Sequence, residues 1–332
     1  MESKPLVSFI VEWENALLSA ENRPVAMLRT LRRQAAEVAL NPDTAFSLPP
    51  RSPVFELLVV YDEAEFDDGE LARLLRLCTG EPDEVLYWRL LPTRDSGYYK
   101  NKNFGAGKAV GEIFLFVDSD VIPEPGWLKQ VLSGLEDPAV EIMTGNVYIE
   151  PVGLVGKVFA LTWFFPLRSE HGPLRRVDSF FANGLAMRSG FYRHHPFPDL
   201  KGTSRGSCIV LADQLAAANI PVYLNPRARV GHPAPNGFRH ISKRALAQGR
   251  DRLYRERHFG TRWSASLLAS CLRLAHNVAA SASKIVTRFY KVGLNPLLIP
   301  AALAVAWYYY LLYWAGEILA RAGLRAIYKI RV

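Results

Sequence analysis

Cysteine is scarce in this chain of 332 residues: Cys78, Cys208 and Cys271 are the three present, an odd number with no close pair. Such spacing argues against a disulfide framework and fits a reducing compartment better. Met1 to Pro5 is polar, so no secretory leader is expected at this end. Acidic residues become rare toward the C-terminus. From Phe238 to Val332 there are 16 Lys/Arg against 3 Asp/Glu, a net +13, while the remainder holds 24 against 29, a net −5. A basic tail on a slightly acidic body expects an anionic partner, either nucleic acid or an anionic membrane surface. Charge of either sign is then missing from Val292 to Gly316, a run of 25 residues. About 20 apolar residues suffice to cross a bilayer. Trp307, Tyr308, Tyr309, Tyr310, Tyr313 and Trp314 resemble an interfacial aromatic belt. Pro296 and Pro300 lead us to expect a kinked or re-entrant segment rather than a straight span. Just before it, Ser264 to Tyr290 alternates apolar residues with Arg273, Lys284 and Arg288, as a helix lying on a membrane does. Long apolar segments between the basic residues, without an aromatic stacking platform, favour the membrane over nucleic acid.

What is present is a chain of alternating strands and helices. Leu6–Val11 reads as a strand, Arg23–Leu40 as a helix, Phe55–Tyr61 as a second strand, Gly69–Cys78 as a helix and Val85–Leu91 as a third strand. A loop rich in proline fills 41–53. Lys102–Ala109 reads as a helix leading to the run from Gly111 to Asp120, apolar until it ends in Asp118-Ser119-Asp120. Side chains alternate along a strand, so Asp118 and Asp120 share a side if the extended geometry continues. Two carboxylates this close repel one another, and a divalent cation relieves the repulsion. The bland alternative is a strand end turning toward Pro123 and Pro125. The alternation predicts an α/β fold with a mainly parallel, doubly wound sheet, whose ligands sit at the carboxyl ends of strands. Glu12, Asp62, Asp118 and Asp120 all fall at such ends. Glu12 reads either as a pocket carboxylate or as a solvated turn, with the turn favoured. Lys102 and Lys108 read either as phosphate contacts or as an exposed helix face. Farther on, Val140–Gly145, Pro221–Leu224 and Ala228–His232 read as strands, and Gly153–Leu167 and Ser207–Asn219 as helices.

In this order the motifs resemble the family-2 glycosyltransferases, which use nucleotide-sugar donors on a GT-A fold, a Rossmann-like α/β architecture. Val7–Val11 with Asn15 matches the opening strand and its Asn. Asp62 matches the second-strand Asp that contacts the nucleotide base, Lys102-Asn103 the basic-Asn element, and Asp118-Ser119-Asp120 the Asp-x-Asp metal motif. The resemblance runs from about Leu6 to His232, roughly two-thirds of the chain. It implies nucleotide-sugar binding by Asp62, Lys102, Asn103, Asp118, Asn183 and Gly184; Glu12, which stands where the family often has Pro, is counted with them only on its pocket-carboxylate reading. It also implies Mg2+ or Mn2+ held by Asp118 and Asp120, with His232 as a further ligand. The last two sugar-side residues come from the stretch Ser179–Arg188.

One departure concerns the acceptor side. The family places a Glu-Asp pair at the start of a late helix, and here Ser207-Cys208 stands in that position. The base is then expected from Asp199, less so from Asp213, or is dispensable because the acceptor is already ionised, as a polyprenyl phosphate is. Nothing near Cys208 in sequence lowers its thiol pKa, so it is read as structural. His194-His195 receives no role beyond a loop contact. The expectation is a cytoplasmic, membrane-associated enzyme. Residues 1–237 form a GT-A domain, and 238–332 form basic amphipathic and hydrophobic C-terminal helices. An inverting transfer moves a sugar from a nucleotide-sugar donor to a lipid-linked acceptor, a polyprenyl phosphate or glycolipid. The alternatives are a polysaccharide-directed enzyme with a hydroxyl on a saccharide acceptor, and a non-catalytic nucleotide-sugar-binding scaffold. A nucleic-acid partner is not expected.

Overall fold

Runs of apolar residues build the centre of a mixed sheet in the computed structural model, which describes residues 6–17, 22–40, 54–94, 97–168, 172–200, 203, 205–260 and 264–330. The expected loop at 41–53 lies outside these residues. The described chain falls into two compact units. The first comprises 1–147, 168–199 and 207–232, and the second 148–167, 200–206 and 233–332.

The first unit is organised by its sheet. Strands β1 (Val7–Glu12), β2 (Phe55–Asp62), β3 (Leu86–Thr93) and β4 (Ile113–Asp118) pair in parallel in the order β3-β2-β1-β4. Residues of β1, β2 and β4 are buried on both faces, which is why they read as continuous apolar runs. Beyond β4 the sheet continues through β8 (Leu185–Arg188), β6 (Ile142–Ile149), β9 (Val222–His232) and the two-residue β5 (Ile122–Pro123), with β7 (Arg175–Val177) on β9. Pairing about β8, and of β9 with β5 and β7, is antiparallel. The expected parallel α/β sheet is found in the first four strands, and these antiparallel pairs make the sheet as a whole mixed. Where two strands were expected near the end of this unit, one strand of 11 residues runs through Asn225-Pro226. The Asn225 side chain supplies the local bonds, donating to the Gln130 carbonyl at 2.8 Å and accepting from the Arg227 amide at 3.0 Å.

Helices α1 (Asn22–Leu40), α2 (Asp68–Thr79), α3 (Tyr98–Lys108), α4 (Trp127–Gly134), α6 (Ser189–His194) and α7 (Ser207–Ala217) belong to this unit. One core joins Ile10, Leu58, Phe114 and Phe116 of the sheet to Tyr98, Ala106, Tyr192, Phe197 and Leu211. Helix α3 approaches the sheet closely because Gly105 has no side chain. A Cβ there would meet Ile10 Cγ2 at 2.7 Å and Val60 Cγ2 at 2.9 Å. Tyr98, Lys102 and Gly105 lie at helical i, i+4, i+7 spacing, so the glycine sets how near the other two come to the strand ends.

The second unit is helical: α5 (Gly153–Thr162), α8 (Gly237–His258), α9 (Leu267–Arg288) and α10 (Ile299–Arg321). Pro296 and Pro300 both sit at the start of the last helix, Pro296 in a short 3-10 turn and Pro300 in the first turn of α10. There proline removes no helical hydrogen bond, and neither proline interrupts α10. Helices α8 and α10 meet backbone to backbone at two glycines. A Cβ on Gly249 would lie 1.9 Å from the Tyr313 carbonyl oxygen, and one on Gly316 2.2 Å from that of Leu246. Buried Glu317 accepts from Arg273 Nη2 at 2.6 Å and from the Ser270 hydroxyl, and Arg250 pairs with Asp251 at 2.7 Å.

Valine at position 105 is expected to push α3 off the sheet and cost about 1–3 kcal/mol, the usual range for overpacking. Urea unfolding of Gly105→Val against the unsubstituted protein measures this, and equal midpoints would contradict the close-approach role.

Candidate active site

Parallel pairing delivers carboxylates to one edge. Glu12, Asp62 and Asp118 are the last residues of β1, β2 and β4, and Glu12 lies directly beside Asp118 in register. Glu12 is 0% exposed. The solvated-turn reading of Glu12 is therefore corrected: β1 runs one residue farther than its apolar pattern and carries the carboxylate into the interior. Its Oε1 accepts from Asn15 Nδ2 at 2.7 Å and its Oε2 from the Glu14 amide at 3.0 Å.

Asp118 is surrounded by donors. Oδ1 accepts from Lys102 Nζ at 2.7 Å and from the Tyr98 hydroxyl at 2.8 Å. Oδ2 lies 2.9 Å from the same hydroxyl and 3.3 Å from Asn15 Nδ2. The Lys102 ammonium sits 4.6 Å from the centre of the Tyr98 ring and is itself 0% exposed. That overturns the exposed-face alternative for Lys102, because α3 turns it inward with Tyr98. Tyr98 was not anticipated as part of the site. Its position four residues before Lys102 was the available signal.

Asp120 lies beyond the strand, so simple alternation does not account for its position. The turn after Asp118 leads into β5, and Ile122 pairs with Gly231, next to His232. Donor atoms of Asp118, Asp120 and His232 all lie within 4.8 Å of one another, and all three residues are buried. Two carboxylates and an imidazole form a donor set suited to a divalent cation of hard to borderline character.

The other expected residues are distributed less compactly. Asp62 is buried at the end of β2, where Oδ1 accepts from the Ala64 amide at 3.0 Å and shapes the following turn. A groove of about 530 Å³ lined by Tyr61, Glu63, Phe66 and Asp68 involves the residues flanking Asp62, which point to the other face of β2. We do not assign the groove to Asp62. Burial and a 2.6 Å bond to Asp68 push the Tyr61 phenol well above its ordinary pKa. Asn103 faces different partners from Lys102. Its Nδ2 donates to the Phe197 carbonyl at 2.8 Å, and its Oδ1 accepts from the Tyr192 hydroxyl. Burial raises the Tyr192 pKa and keeps that hydroxyl protonated as a donor. These bonds engage Asn103 in joining α3 to the Phe197 segment. Asn183 is buried, and Gly184 adopts φ 88°, a left-handed conformation that favours glycine. The Gly184 amide donates to the Phe116 carbonyl at 2.7 Å and its carbonyl accepts from the Gly145 amide at 3.1 Å. Asp199 and Asp213 are exposed, and Cys208 is buried. The Asp118–Asp120–His232 cluster does not include Asp199.

Residues 29–193 match the family described as Glycosyl transferase family 2. The mannosyltransferase PcManGT from Pyrobaculum calidifontis, solved with GDP-Man and Mn2+, superimposes with TM-score 0.52 at 19% identity, covering 96% of this chain and 86% of that one. TarS 1–349 from S. aureus gives TM-score 0.48 at 15% identity, with 96% and 92% coverage. GalNAc-T7 with UDP, GalNAc and Mn2+ gives 0.46 at 12% identity, with 70% and 43% coverage. None of the curated proteins searched matches the sequence. The family match over residues 29–193 and the shared sheet architecture lead to one conclusion: the chain carries a family-2 glycosyltransferase domain on a GT-A fold.

Proposed function

We propose that this glycosyltransferase is an inverting, membrane-attached enzyme. It passes a sugar from a nucleoside-diphosphate sugar to a membrane-linked acceptor, a polyprenyl phosphate or glycolipid. The observation that carries the donor half is the buried convergence of Asp118, Asp120 and His232 within 4.8 Å. These residues would hold Mg2+ or Mn2+, which when bound offsets the negative charge of the departing nucleoside diphosphate. PcManGT, with the same fold, was solved with a nucleotide sugar and Mn2+, which supports the reading. Asp62 holds the nucleotide base, and Glu12 and Asn15 fix the orientation of Asp118. Lys102 stabilises Asp118 as a carboxylate and stands ready to meet phosphate oxygens. Asn183 and Gly184 line the sugar side.

The acceptor half rests on a different kind of support. Helix α7 opens with Ser207-Cys208, without a carboxylate, and both Asp199 and Asp213 are exposed. An acceptor already ionised, such as a lipid phosphate, attacks the anomeric carbon in line without a protein base. A hydroxyl acceptor would instead need Asp199 as its catalytic base.

We assign residues 1–237 to sugar transfer and 238–332 to the membrane, with the sugar-transfer part cytoplasmic. In support, Pro296–Arg321 is long and apolar enough to cross a bilayer, and only 22% of its most apolar window is buried within the chain. A core helix of this composition would be covered. Leu268, Leu272 and Val286 are exposed on α9, and with Ala275 and Ala279 they follow a helical stripe. That stripe and its neighbouring basic residues suit an anionic membrane surface.

Three outcomes are expected. Asp120→Ala lowers metal-dependent nucleotide-sugar turnover by at least about 100-fold, in line with losing charge stabilisation. Turnover indifferent to Mn2+, Mg2+ and this substitution would sink the enzyme reading in favour of a binding scaffold. Asp199→Asn leaves transfer to a polyprenyl phosphate unchanged, whereas a large fall in kcat would make Asp199 the base. In flotation with phosphatidylglycerol vesicles the protein rises with the lipid, and the pair Leu272→Glu and Val286→Glu lowers the bound fraction. Binding unaffected by the pair removes α9 from the contact.

A further inference from the structure

The second residue of α1, Arg23, reaches two chain segments far away in sequence. Its Nε donates to the Asp120 carbonyl at 2.6 Å, and its Nη2 donates to the Gly231 carbonyl at 3.3 Å. One acceptor belongs to Asp120 itself, and the other immediately precedes His232. The segments are otherwise joined by β5 and β9, a ladder of two register pairs, Ile122↔Gly231 and Pro123↔Val230. Pro123 has no amide hydrogen to give that ladder. Three turns farther along α1, buried Gln34 donates to the Glu124 carbonyl at 3.0 Å and accepts from the Leu128 amide at 2.9 Å. Helix α1 therefore grips the chain on both sides of β5, and Arg23 grips it at the Asp120 backbone.

We propose that Arg23 is a positioning residue that fixes the separation of Asp120 from His232 and thereby sets the affinity of the site for its divalent cation. The planar guanidinium holds its donors in a fixed fork, so one side chain can fasten both carbonyls at once; a lysine ammonium is a single point. The direction of the effect separates this role from a purely electrostatic one. A cation beside a metal site repels the metal, so charge removal alone would tighten binding. Loss of the clamp loosens it, because the two side chains no longer converge.

The proposal rests on the metal reading of Asp118, Asp120 and His232, and the test keeps the two apart. Mn2+ is titrated into the full chain, without nucleotide, and followed by the electron paramagnetic resonance signal of free Mn2+. Asp120→Asn and His232→Ala report on the ligands, and Arg23→Met and Arg23→Lys on the clamp. We expect both Arg23 variants to weaken Mn2+ binding by about 10–100-fold, the range for groups that support metal ligands. Methylguanidinium should restore part of the affinity to Arg23→Ala. Arg23 variants that bind Mn2+ as tightly as the unsubstituted protein, or more tightly, overturn the positioning role while the ligand variants still lose it. If the ligand variants bind unchanged, the metal reading fails and the role of Arg23 fails with it. Should Arg23→Met not fold, Arg23→Lys keeps the charge and decides the question.

Discussion

Buried like charge is the constraint around which the first unit is built. Glu12, Asp118 and Asp120 end within the same small region, all removed from solvent. Parallel pairing puts Glu12 and Asp118 side by side. An isolated carboxylate in such a setting is costly, and it persists only where donors or opposite charge compensate it. Here Lys102, Tyr98 and Asn15 converge on Asp118, and Asn15 and a backbone amide satisfy Glu12. Each compensating group comes from a different piece of local structure: the turn after β1, and the first and second turns of α3. Gly105 matters for the same reason, since it lets α3 lie close enough for Lys102 to reach Asp118.

How much of this was legible in the sequence follows from the range of the forces involved. Strands β1, β2 and β4 were readable because burial on both faces writes an uninterrupted apolar run, and the carboxylates that end them stand out against it. Glu12 was misjudged because a charged residue at a strand end looks solvated until its partners are known. Those partners are the Asn15 side chain and the Glu14 amide, and the same Asn15 amide also reaches Asp118, more than a hundred residues away. Tyr98 could have been found from its spacing to Lys102, because both belong to one helix. Arg23 could not: its acceptors are carbonyl oxygens 97 and 208 positions away, and no side-chain pattern marks a carbonyl. The single strand β9 was read as two because Asn225-Pro226 is a turn signal. The Asn225 side chain instead supplies the bonds that carry the chain through.

The second unit follows different rules. Its helices α8 and α10 pack through Gly249 and Gly316, with backbone in contact, while large apolar side chains such as Leu272, Val286, Trp307 and Leu311 stay exposed. Small residues at the helix contact and large ones left outside are what the proposed membrane attachment asks of these helices. The charged residue just after the apolar run, Glu317, is compensated in place by Arg273 and Ser270. The prolines that suggested a bend in the sequence mark the beginning of α10 instead.

The pairing of Ile122 with Gly231 also bears on the order in which the protein can assemble. Strands β1 to β4 are complete once residue 118 has been made, and their contacts can form while synthesis continues. The third member of the Asp118–Asp120–His232 cluster arrives more than a hundred residues later, and closing so long a loop is slow compared with forming local structure. A nascent chain on the ribosome would thus carry a finished parallel sheet whose Asp118–Asp120 corner still lacks His232. On the proposed reading, a cation would find its final set of ligands only once the last strand of the sheet is in place.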